Sequence, residues 1–216
     1  MKKTRNTLFF TFLFFSLCTF SQEKIKVACI GNSITFGAGI KKEQAYPAQL
    51  QLFLGDNYEV HNYGISGRTL LNKGDNPYMK EPFFSDALKW EPDIVVIKLG
   101  TNDSKPQNWK YRDEFINNYL TMVKAFKSLP SCPKVYVCYP VPAFESRWGI
   151  TDSVISKEVI PRITKVKKKS RSELIDLRTP FLGRDSLFSD GIHPNPLGSK
   201  FIAEEVYKSI TKKNKK

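Results

Sequence analysis

Three residue types that together can activate a hydroxyl stand at telling places in this chain. Ser33 lies in Gly31-Asn32-Ser33-Ile34-Thr35, directly after a short apolar run, and Asp190 and His193 lie in Asp190-Gly191-Ile192-His193-Pro194-Asn195. A serine becomes a nucleophile only when a base takes its proton and a third group orients that base. His193 suits the base. Asp190, three residues earlier on a tight turn, can hold one ring nitrogen while the other accepts from the hydroxyl. Acyl transfer also needs donors aimed at a developing oxyanion. Ser33 N–H, Gly64 N–H and the Asn102 side-chain amide are the expected donors, with glycine at 64 allowing close backbone approach for want of a Cβ. Such chemistry rises with pH through the ordinary imidazole value of about 6.5.

Other chemistries find little support. The chain has only two histidines, so a multi-histidine metal centre is excluded, and His61, inside a strand-like run, reads as structural. HExxH, P-loop and GxSxG patterns are absent, and neither a metal nor an organic cofactor is expected. Each candidate also has a plain structural role open to it. Ser33 can cap a helix, Asn102 and Asp190 can cap turns, and Gly64 and Gly100 can simply end strands. Arg68 can hold a loop or reach a substrate. Trp109 and Trp148 fall in loops near the same edge. Trp148 can stack on a sugar ring or anchor its loop.

The elements that must position these residues are legible from periodicity. Short β-branched runs at 25–30, 58–63, 93–99, 134–139 and 174–177 read as five strands. Helical spacing marks 46–55, 82–90, 113–129, 154–170 and 197–210, with a kink or break expected at Pro161. Strands alternating with helices indicate a mostly parallel sheet covered on both faces, a three-layer α/β/α sandwich. In such a sheet, ligands bind off the carboxyl ends of the strands. The loops there begin at Gly31, Gly64, Gly100 and Pro140 and after Leu177, so the serine, the asparagine and the Asp–His pair share one edge.

Composition agrees with one globular domain. The 216 residues are 41% hydrophobic and 25% charged. Residues 1–21 carry Lys2, Lys3 and Arg5, then the apolar run Leu8 to Phe20, then small residues at 19 and 21. That is the pattern of a cleaved export signal, leaving 22–216 as a single domain in the periplasm or outside the cell, with no membrane-spanning segment after cleavage. The formal charge is +13, and much of it sits in that leader and in the tail Lys212 to Lys216. The basic run Lys165 to Arg171 falls on a helix without interleaved aromatics, so it reads as a solvated face and not a nucleic-acid surface. Cys29, Cys132 and Cys138 would remain after export, and no structural disulfide is expected among them.

The four blocks in this order resemble the SGNH subgroup of the GDSL esterase/lipase family over nearly all of 25–210. They are Ser33 in GNSIT, Gly64 in NYGISG, Asn102 in GTND and His193 in DGIHPN. The resemblance implies an SGNH-hydrolase, flavodoxin-like fold. It makes Ser33 the nucleophile, His193 the base and Asp190 its orienter, with Ser33, Gly64 and Asn102 forming the oxyanion hole. Asn32 departs from the founding motif, which has Asp there; it keeps the hydrogen-bonding shape and loses the charge. The chain looks most like the carbohydrate O-acetylesterase branch, which implies a glycan or small-molecule ester as substrate. Alternatives are a lysophospholipase or thioesterase of the same family, a glycan-binding module without catalysis, and a basic surface-binding protein.

Overall fold

A computed structural model describes residues 23–212; the predicted leader lies outside the described residues. In chain order the elements are β1 (Ile25–Gly31), α1 (Ser33–Phe36), α2 (Tyr46–Leu54), β2 (Tyr58–Gly64), α3 (Pro82–Lys89) and β3 (Ile94–Lys98). They continue with α4 (Pro106–Trp109), α5 (Phe115–Lys127), β4 (Lys134–Tyr139), α6 (Asp152–Val154), α7 (Ile160–Ser170), β5 (Glu173–Asp176) and α8 (Pro196–Thr211). The strands form one sheet in the order β2-β1-β3-β4-β5, and every pairing is parallel. The expected five-stranded α/β/α sandwich is what forms.

Alternation within the strands builds two cores. Ala28, Ile30, Val95, Ile97, Val135 and Val137 face α3, α5 and α7, meeting Phe115, Tyr119, Phe126, Ile163 and Val166. Val27, Cys29, Val96, Tyr136, Cys138 and Ile175 face α2 and α8, meeting Tyr46, Leu50, Ile202 and Val206. Because both faces are covered, the strands read as continuous apolar runs. Cys29 and Cys138 are free thiols whose pKa values burial pushes up to about 12, so they behave as small apolar groups. Pro161 does not break its helix. A π-helical turn over Ile155–Val159 precedes it, and Pro161 takes the second position of α7. The helical backbone runs unbroken from Asp152 to Ser170, and the wider π turn just before Pro161 absorbs the donor the proline lacks.

One residue departs from this apolar pattern. Lys98, at the end of β3 and opposite Gly31 of β1, is 1% exposed, and its Nζ has no hydrogen-bond partner among the described residues. Burial pulls its pKa down to about 8 from 10.5, with Cys138 opposing slightly. The unfolded chain therefore binds more protons than the folded one between about pH 8 and 10.5, and this group's destabilising effect is fully present below pH 8 and fades above it. Lys98→Met, similar in volume and uncharged, should raise stability at pH 7 by about 3 kcal/mol. Denaturant titrations should show that gap closing from pH 8 to 10; a gap independent of pH would contradict the assignment.

Candidate active site

The order β2-β1-β3 places β1 at the centre of the sheet's reversal, and the chain leaves it at Gly31 directly into the first site segment. Asn32 caps α1 by accepting the Ile34 N–H at 3.1 Å, so Ser33 is the first residue of that one-turn helix and not its cap. The expected hydrogen-bonding shape of Asn32 is thus kept. Its Nδ2, fully buried, has no partner among the described residues. The Ser33 N–H sits at the open helix start and forms no hydrogen bond among the described residues, which leaves it free as a donor.

The second segment is a turn that holds its own carboxylate. Asp190 Oδ1 accepts the backbone N–H groups of Ile192 at 2.9 Å and His193 at 2.7 Å. Its Oδ2 lies 2.8 Å from His193 Nδ1, and His193 Nε2 lies 2.9 Å from Ser33 Oγ. A carboxylate can only accept, so Nδ1 carries the proton and Nε2 offers its lone pair to the serine hydroxyl. Burial alone would raise the Asp190 pKa. The hydrogen bonds from the His193 ring, His193 N–H and Ile192 N–H outweigh it and hold the carboxylate below its usual range. The turn is fastened on both sides: Phe144 N–H donates to Gly191 O at 2.8 Å, and Ser189 N–H donates to His193 O at 2.9 Å. Asn195 caps α8 through Gly198 N–H, which fixes where the turn ends.

The third segment follows β3. Asn102 is 4% exposed, and one hydrogen of its amide goes to Arg68 O at 3.1 Å. The amide has two, so a second donor is left for the cavity. That cavity, of about 230 Å³, is lined by Ser33, Ser66, Gly67, Asn102, Trp148 and His193, with Ala38, Lys105 and Ile150 completing it. The three segments expected at one edge do converge.

Gly64 requires a correction. Its N–H donates to Asn62 Oδ1 at 2.9 Å, and the residue does not line the Ser33 cavity. It is a glycine for another reason: a Cβ there would come within 2.2 Å of Phe36 N, so α1 packs directly on the end of β2. Gly67, at φ +78° on the turn beyond, lines the cavity, and its N–H forms no hydrogen bond among the described residues. A residue still inside the sheet has its N–H held locally, whereas a ligand off the strand ends meets residues a few positions later. The second glycine of Gly64-Ile65-Ser66-Gly67 was the available signal.

A further residue was passed over in the sequence. Asp103 is fully buried and accepts Leu70 N–H at 3.0 Å and Leu71 N–H at 2.8 Å. It pins the segment after Gly67 to the loop carrying Asn102. Burial pushes its pKa up to about 6, against the pull of those backbone hydrogen bonds. An acidic residue directly after Asn102 hints at such a clamp, but its partners are 32 and 33 residues away.

The residues left open now divide. Arg68 holds its loop, with Nε on Glu81 Oε1 at 2.9 Å and a second donor on Ser66 O. Trp109 is 5% exposed and donates to Glu158 Oε2, so it belongs to the core. His61 stacks on Trp90 at 3.9 Å and pairs with Glu59, as a structural residue would. Trp148 stays at the cavity, 57% exposed.

An acetylxylan esterase of Xylanibacter ruminicola is 46% identical over 209 residues, covering 88% of this chain and 44% of that protein. The chain thus spans less than half the length of that relative. An arylesterase of Vibrio mimicus is 26% identical over 93% of the chain and 95% of its own length. The crystal structure of an acetyl xylan esterase, AlAXEase, superposes with a TM-score of 0.69 at 25% identity, over 86% of this chain and all of that one. Residues 29–201, which hold all three segments of the cavity, match the GDSL-like lipase/acylhydrolase family, and the chain belongs to that family.

Proposed function

We propose that this protein is a serine esterase that removes acetyl groups from a carbohydrate. The observation that carries the reading is the unbroken path from Asp190 Oδ2 through the His193 ring to Ser33 Oγ, with links of 2.8 and 2.9 Å. In the reaction, His193 Nε2 takes the Ser33 proton as Oγ bonds to the ester carbonyl carbon. The carbonyl oxygen becomes an anion facing Ser33 N–H, Gly67 N–H and Asn102 Nδ2. The tetrahedral centre then expels the alcohol, which receives its proton from His193. Water, deprotonated by the same nitrogen, attacks the acyl-serine and releases the acid.

Two features favour acetyl. The cavity at Ser33 has room for a short acyl group, at about 230 Å³, and the 46% identical relative is named an acetylxylan esterase. Export through the leader read in residues 1–21 would bring such an enzyme to polymers outside the cytoplasm. One observation favours a second reading, hydrolysis of longer acyl esters. An apolar groove of about 490 Å³, lined by Phe36, Ile65, Pro82 and Phe83, adjoins the cavity at Ser66.

A series of p-nitrophenyl esters from acetyl to octanoyl separates them, together with acetate release from acetylated xylan. We expect the turnover to fall beyond propionyl and acetate to be released from the polymer. A rate that climbs toward hexanoyl and octanoyl would reject deacetylation and assign the groove to the acyl chain.

A further inference from the structure

We propose that Trp148 is the platform on which the sugar ring of the leaving alcohol stacks, and so the residue that selects a carbohydrate ester over a simple one. This rests on the esterase reading above and extends it to the alcohol side of the substrate.

The backbone supplies the first argument. Trp148 stands at φ +53°, in the left-handed region where a bulky side chain is strained, and Gly149 follows at φ +79°. Strain of this kind persists only where the surroundings over-determine it. Here they do: Arg147 and Ile150 close the turn across a bridge, with Ile150 N–H on Arg147 O at 2.8 Å. Ile150, 2% exposed, buries itself against Ile155 and Ile192 and anchors the loop. The tryptophan does not. More than half of it is open to solvent, so burial is not what keeps an indole at a position where glycine would sit without strain.

Direction supplies the second argument. The indole ring lies 5.5 Å from the His193 ring, centroid to centroid, tilted by 54°, and lines the cavity that holds Ser33. His193 Nε2 must deliver its proton to the departing oxygen, so the alcohol leaves on the imidazole side. The ring beside that imidazole therefore meets the alcohol, while the carbonyl oxygen faces Gly67 and Asn102 on the other side of the cavity. An indole presents a broad, rigid apolar face to the C–H face of a pyranose. Lys105, on the same cavity wall, can donate to the ring hydroxyls.

The test compares wild type, Trp148→Gly and Trp148→Phe on two probes, mono-O-acetylated xylotriose and ethyl acetate, with thermal midpoints measured alongside. For Trp148→Gly we expect the ratio of kcat/KM on the trisaccharide to that on ethyl acetate to fall about five- to tenfold, chiefly through KM. Its thermal midpoint should stay no lower than that of wild type, because glycine relieves the strain. Trp148→Phe should restore most of the ratio. Equal losses on both probes, an unchanged ratio, or a lowered midpoint in Trp148→Gly would each overturn the proposal and make Trp148 a support for its loop or for His193. Wild type that cleaves ethyl acetate but not the trisaccharide would instead overturn the carbohydrate reading, and the platform with it. Wild type inactive on both would overturn the esterase reading itself.

Discussion

Replacing Ser33 with alanine should reduce kcat for ester hydrolysis by about 10⁵- to 10⁶-fold. The magnitude follows from what the side chain does. In the proposed mechanism its hydroxyl, 2.9 Å from His193 Nε2, is the nucleophile, and without it no acyl-enzyme can form. The fold should be indifferent to the change. Ser33 lines the cavity, and α1 is capped by Asn32, not by Ser33, so alanine leaves neither a void in the core nor a lost cap. Residual activity should not drop further in a Ser33→Ala/His193→Ala double variant, because the two groups act as one unit. Release of p-nitrophenol from the acetyl ester measures the loss, and a fluorophosphonate probe should label wild type and fail on the variant. Retention of more than about a hundredth of the wild-type rate would remove Ser33 from the mechanism.

Asp190→Asn should lower kcat by about 10⁴-fold at neutral pH while leaving the protein folded. An asparagine can keep its oxygen on the two backbone N–H groups that Asp190 Oδ1 now accepts, from Ile192 and His193. Its NH₂ must then face His193 Nδ1, which has to turn acceptor. The ring proton moves to Nε2, the nitrogen that faces Ser33, and a protonated Nε2 cannot take the serine proton. Asp190→Ala adds a structural loss, since the turn loses both backbone acceptors. The pair of variants therefore separates orientation of the base from support of the turn. Similar activity loss in both, with a lower thermal midpoint only in the alanine variant, is the expected pattern. Wild-type-like activity in Asp190→Asn would mean that the carboxylate only braces its turn. The carboxylate's lowered pKa also links it to stability: its contribution is present above the unfolded value near 3.8 and is lost as pH falls through the lower folded value.

What could be read along the chain was whatever rests on near neighbours. Runs such as Lys134 to Tyr139 announce a buried strand through β-branched and aromatic residues in an unbroken stretch, and that strand has the expected bounds. Asp190 and His193 are three residues apart, so their pairing is a property of one turn. Ser33 could be assigned to the same edge because alternating strands and helices fix which ends of the strands face a ligand. The α/β/α class and the Ser–His–Asp set follow from local patterns together with that one topological rule.

Contacts between distant segments were settled only by packing. Gly64 ends β2 and Gly67 follows it, and packing separates them: Asn62 takes the N–H of the first and α1 covers its Cα, which leaves the second at the cavity. Trp109 and Trp148 are equivalent as loop tryptophans; one finds Glu158 in the core, the other stays beside His193. Lys98 reads as an ordinary strand end, and only two covering layers make it a buried amine. Ser33 and His193 are separated by 160 positions, and their 2.9 Å contact exists because β1 and the turn before α8 are held at one edge of a shared sheet. Residue types and short spacings state what chemistry is available; burial and convergence, which depend on every other element at once, choose the atoms that perform it.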